Sequence, residues 1–161
     1  MQVKLSEILF ALETQTESST AYVDRRTGEV IVIGEEEAFY VEEEEEEIGD
    51  EEVDFIPDWQ RPIIEKAREI MNDDKGVFLP LPSQFDINEW EIMRNFALSL
   101  EDEKISSRLL DAIHGKGAFR RFRDQIRRFG IENDWYRYRD EALREIAIQW
   151  CKDHNIPYVE D

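Results

Sequence analysis

Apolar positions recur along this chain at two different periods. In 3–13, Leu5, Ile8, Leu9 and Leu12 stand at helical spacing and predict a short amphipathic helix, with Ser6 able to cap its start. In 21-AYVDRRTGEVIVIG-34 the pattern changes. Two runs rich in β-branched and aromatic residues flank DRRTG, and Gly28 stands where a hairpin turn needs a positive φ. The run 38-AFYV-41 is a candidate third strand.

Helical spacing returns after Pro57. A helix over 57–72, with Pro62 near its first turn, turns Ile63, Ile64, Ala67, Ile70 and Met71 inward. The segment 77-VFLPLP-82 is extended, and its two prolines confine it to a sheet edge. Asp86-Ile87-Asn88-Glu89 reads as a capping box with Asp in the capping place, opening a helix to about Leu100. Two more helices follow, over about 102–113 and 118–129, the second stopped by Gly130. A last one ends near His154. There Asn155 suits the left-handed position after a helix, Ile156 can fold back and Pro157 forbids continuation. The predicted class is α+β: a small N-terminal antiparallel β-hairpin or sheet followed by a predominantly helical layer.

Charge changes this picture in two places. The chain of 161 residues carries a formal charge of −19, a sign that repels nucleic acid and anionic membranes at long range. Between positions 34 and 58 there are 14 carboxylates and no basic residue, centred on six consecutive glutamates at 42–47. Neighbouring like charges repel, so a single domain over 1–161 with a flexible acidic segment at about 42–54 is expected. The opposite bias lies at 114–140, where eight Lys and Arg against four carboxylates leave +4 and the remainder at −23. The Debye length is about 8 Å in physiological salt, so such a patch can act locally despite the global sign.

The rest of the composition narrows the setting. No apolar run approaches the roughly 18 residues of a membrane span. The first residues lack the long apolar core and small-residue cleavage site of a signal peptide. The single cysteine, Cys151, excludes an internal disulfide, and a cytoplasmic protein is expected.

The basic stretch, 114-HGKGAFRRFRDQIRRFG-130, holds the candidate chemistry. Phe119, Phe122, Ile126 and Phe129 are spaced 3, 4 and 3 apart and form one inward stripe. The arginines take the other face, and Asp124 stands where it can pair with several of them. Nucleic-acid stacking rings belong on the same face as the cations, so an inward stripe argues against a stacking platform. The turn 115-GKG-117 is more suggestive. Gly115 suits the end of one helix and Gly117 the start of the next, where free N–H groups beside Lys116, Arg120 and Arg121 can hold a phosphate or carboxylate. The Walker A spacing is absent.

Other candidates are weaker. Cys151 and His154 are half of a metal site, with His114 the only other histidine, and no metal or cofactor is predicted. Trp135, Tyr136 and Tyr138 sit on the last helix, where packing is the simpler role and Tyr136 is the ring best placed for exposure. No catalytic motif is present, so the reading leans away from an enzyme.

The segments 115-GKGAFRRFRD-124, 134-DWYRYRDEALREIAIQW-150 and 86-DINEWEIMRNFALSL-100 together resemble an uncharacterised bacterial protein family of unknown function. Its hallmark is a Gly-Lys-Gly-Ala-Phe-Arg-Arg-Phe stretch ahead of a Trp-Tyr helix. The likeness runs from about Leu5 to Ile156. It implies a bacterial cytosolic protein with residues 115–123 and 135–139 as focal segments, the six-glutamate run being a local embellishment. It implies no activity.

The leading expectation is a non-enzymatic binding domain. Gly115, Lys116, Gly117, Arg120, Arg121, Arg123, Arg127 and Arg128 would form its surface toward an acidic protein or phosphate-bearing ligand. Two alternatives stay open: RNA or DNA backbone binding by the same patch, and an enzyme acting on a phosphorylated small molecule.

Overall fold

The computed structural model describes residues 1–45 and 56–161. Within them the chain is α+β, with seven helices and five short strands among the described residues. It divides into two compact units, Met1–Gln84 with Ile148–Asp161, and Phe85–Ala147.

The first unit begins with β1 (Val3–Lys4) and α1 (Leu5–Thr14). The predicted hairpin forms as β2 (Thr20–Asp24) and β3 (Val30–Ile33), antiparallel, with Tyr22 opposite Ile31 and Val23 opposite Val30. Its turn is held from within. Asp24 is 1% exposed, and its carboxylate accepts from the Arg26 main-chain N–H at 2.8 Å and from the Arg26 guanidinium at 3.1 Å. Burial alone would raise the Asp24 pKa; the hydrogen bonds from Arg26 outweigh it and hold the carboxyl below its ordinary value.

The third strand is not 38–41. It is β4 (Phe78–Pro80), antiparallel to β2 on the side away from β3, so the prolines of 77–82 do sit at a sheet edge. Residues 38–41 lie in α2 (Glu35–Glu45). Glutamate is a good helix former, and Glu35, Glu36 and Glu37 in the first turn face the positive end of the helix dipole. Helical spacing then buries Val41 and half-buries Ala38 and Tyr40 against the core. The glutamates at 42–45 thus end a helix; the rest of the expected flexible segment, 46–54, lies outside the described residues. α3 (Arg61–Met71) packs Ile64 and Ala67 into a core with Ile31, Ile33, Val41 and Phe78. Met71, expected inward, is exposed at the helix's last residue.

The chain ends pair with each other. β5 (Tyr158–Val159) runs parallel to β1. The cap of α1 is also non-local: Ser6 caps nothing, and its N–H and hydroxyl donate to the Asp161 carboxylate at 3.0 and 2.5 Å.

The second unit contains α4 (Glu89–Ser99), α5 (Glu103–Ala112), α6 (Ala118–Arg128) and the greater part of α7 (Glu132–Asp153). Asn88, not Asp86, caps α4, accepting from the Glu91 N–H at 3.0 Å. Asp102 caps α5 through the N–H groups of Lys104 and Ile105. The core joins Met93, Phe96 and Ala97 to Leu109, Ile113, Ala118, Phe122 and Ile126, with Trp135 and Tyr138 packed against it. The expected helix ends at Gly130 and Asn155 both occur, and both residues are left-handed. Gly130 has φ 64° with Ile131 N–H donating to Ile126, and Asn155 has φ 56° with Ile156 N–H donating to Cys151.

Candidate partner-binding surface

Helix α6 is amphipathic along its whole length. Ala118, Phe122 and Ile126 are buried, while Arg120, Arg121, Arg123, Asp124, Arg127 and Arg128 are exposed. The buried side is anchored by rings. Phe122 meets Phe96 and Trp135 edge-on, at centroid distances of 6.3 and 4.8 Å, and Phe96 also meets Trp135 and Tyr138. These contacts fix the axis of α6 and therefore the direction its cationic side faces.

The turn before α6 depends on its glycines. Gly115 and Gly117 have φ of 74° and 78°, values that side chains with a Cβ rarely adopt. Gly117 is the first residue flanking α6, and among the described residues no side chain caps the N–H groups there.

Of the eight predicted site residues, all exposed, Arg121 has a structural occupation. Its guanidinium donates to the main-chain oxygens of Ala112 (3.0 Å), Lys116 and His114. It therefore ties the first turn of α6 back onto the end of α5. The planar fork of five donors suits several carbonyls at once. Trp90 completes the same cap, its indole N–H donating to the Ile113 oxygen at 2.8 Å. Carbonyls left over at a helix end need such partners. The sequence carries no signal for Trp90, because its partner lies 23 residues away. For Arg121 a faint signal exists: one helical turn after Gly117 returns the side chain over the preceding loop.

The remaining cations are uncommitted. Among the described residues, no ion pair involves Lys116, Arg120, Arg123, Arg127 or Arg128, and the expected pairing with Asp124 does not form. By contrast Arg139 on α7 is committed, gripping Glu89 at 2.6 and 3.3 Å. The inward stripe also needs correction at one end. Phe122 and Ile126 are 2% exposed, but Phe119 is 51% exposed. It points within about 20° of the buried Ile126 around the helix but stands two turns earlier along it, so position along the axis, not direction, leaves it outside the core. Tyr136 is exposed as expected.

Cys151 and His154 do other work. Cys151 is fully buried, which pushes its thiol up to about 11. The His154 ring packs on Trp150 and its Nδ1 lies 2.8 Å from the Trp150 oxygen.

Replacing Arg121 by Ala should cost about 2 kcal/mol of stability, since a charged donor serving several carbonyls is lost. Arg121→Lys should recover little, because an ammonium cannot reproduce the fork. Arg120→Ala should stay within about 0.5 kcal/mol of the parent, as surface changes do. Urea unfolding compares the three, and equal losses for Arg120→Ala and Arg121→Ala would show that the Arg121 contacts to the helix end carry no stability of their own.

The fold and surface define an α+β protein whose helical unit displays a cationic helix, four of its arginines without an ion pair among the described residues, after a Gly-Lys-Gly turn with two left-handed glycines. The chain belongs to the Uncharacterised protein family (UPF0158), whose family model matches residues 1–161. A relative from Pseudomonas aeruginosa, UPF0158 protein PA5073, is 26% identical over 159 residues, covering 97% of this chain and 85% of the relative. No solved structure matches it. Among the described residues, no helix is long and apolar enough to cross a membrane.

Proposed function

We propose that this protein is a non-catalytic binding protein that uses the exposed side of α6, with the turn before it, to hold an acidic or phosphate-bearing partner. The observation that carries this reading is the set of five exposed cations, Lys116, Arg120, Arg123, Arg127 and Arg128. None has an ion pair among the described residues of a chain with 39 carboxylates. Carboxylates are abundant enough to neutralise every cation, so like-signed guanidinia left on one helix face are available to an external anion. Gly115, Gly117 and Arg121 shape the platform; the other five make contact.

Attraction of this kind acts over about one Debye length and weakens with salt. The test is retention on immobilised heparin, a polyanion, at low ionic strength. The parent should be retained despite its net charge of −19, and elute as salt rises. Arg120→Glu/Arg123→Glu/Arg127→Glu should pass through unretained, whereas Lys75→Glu, in the other unit, should behave as the parent. Equal elution of the parent and the triple variant would overturn the proposal.

A further inference from the structure

We infer that the partner held by the cationic side of α6 is single-stranded nucleic acid, with the Phe119 ring stacking on a base and Arg123 and Arg127 holding phosphates. This rests on the binding surface proposed above and names its ligand. Phe119, Arg123 and Arg127 stand four residues apart in turn, so they form one row along the helix. Arg120 lies beside that row. Phe119 is therefore an apolar ring, 51% exposed, at the head of a line of guanidinia with no ion pair among the described residues. The inward stripe would have denied this arrangement; the observed burial creates it. A flat ring beside cations is the pairing by which proteins take unpaired bases and the backbone that carries them.

A duplex fits less well. Its bases are stacked inside, beyond reach of a ring that stands on the helix surface. Its charge density also exceeds that of a single strand, and outside 114–140 the chain carries −23. Repulsion from that remainder grows with the charge the ligand brings.

The experiment is fluorescence anisotropy of a labelled oligouridine of roughly 12 nucleotides, within the span one binding module covers, titrated with the full chain at several salt concentrations. The expected result is binding at low salt, with log affinity falling against log salt at a slope of about −2, as for some three phosphates. Phe119→Leu, which keeps apolar bulk and removes the flat ring, should weaken binding roughly five-fold or more at an unchanged salt slope. Arg123→Ala/Arg127→Ala should flatten the slope. Three results overturn this inference and leave the cationic surface standing: equal affinity for Phe119→Leu, equal binding of a duplex of the same length, or binding of polyglutamate with none of oligouridine. Absence of binding to every polyanion at low salt overturns both.

Discussion

Phe122→Ala is expected to lower the free energy of unfolding by about 3–5 kcal/mol, the usual cost of removing a buried ring. Phe122 is 2% exposed and stands between Phe96 and Trp135, both edge-on. The lost transfer energy comes with a cavity, because helices held by neighbouring rings collapse only partly into the space. A domain of this size has about 5–15 kcal/mol in total, so the variant should sit near its threshold. Trp135 offers the readout: its fluorescence should shift toward that of a solvated indole at a lower urea concentration than in the parent. Phe122→Leu, which refills part of the volume, should lose less. A Phe122→Ala loss below about 1 kcal/mol would mean that this cluster does not hold α6 in place.

The second large effect is expected at Gly28. Its φ is 79°, and a Cβ there would stand 2.6 Å from the Gln2 oxygen and 2.9 Å from its carbonyl carbon. Those are main-chain atoms and cannot swing away as a side chain does. Gly28→Ala should therefore combine left-handed strain, about 1–2 kcal/mol, with overpacking of about 1–3 kcal/mol. Together these come to about 2–5 kcal/mol, unless the hairpin turn or the segment before β1 shifts. Gly76 supplies the control. Its φ is 69° and no atom of the described residues lies within 4 Å of the place a Cβ would take, so Gly76→Ala should show the strain alone. Urea unfolding of the pair separates strain from contact, and equal losses would show that the approach of Gln2 has no energetic weight. Amide exchange at Val3 and Lys4 should rise only in Gly28→Ala, since β1 follows directly on Gln2.

Much of the fold was legible because its signals are local. The hairpin needed only two β-rich runs and a glycine. The end of α7 needed only Asn155, Ile156 and Pro157, and the structure shows Asn155 left-handed and Ile156 buried as expected. The misreadings share a cause. The run 38–41 looks like a strand by composition, yet it follows three glutamates that start a helix, and tertiary burial of Val41 favours helical spacing. Asp86 resembles a cap, but Asn88 is the residue whose side chain reaches the Glu91 N–H. Ser6 looked like the cap of α1, and its partner is Asp161, 155 positions away.

The candidate surface divides along the same line. Residue order alone determined the amphipathic period of α6, the left-handed glycines before it and the concentration of cations on it, because each follows from backbone geometry and residue type within a few positions. Only the tertiary structure decided which cations are available. Arg121 is spent on the carbonyls of Ala112, His114 and Lys116, a contact that requires the turn to close. Phe119 is left outside, because helical period states which way a side chain leaves the axis but not how far the neighbouring helices extend to cover it.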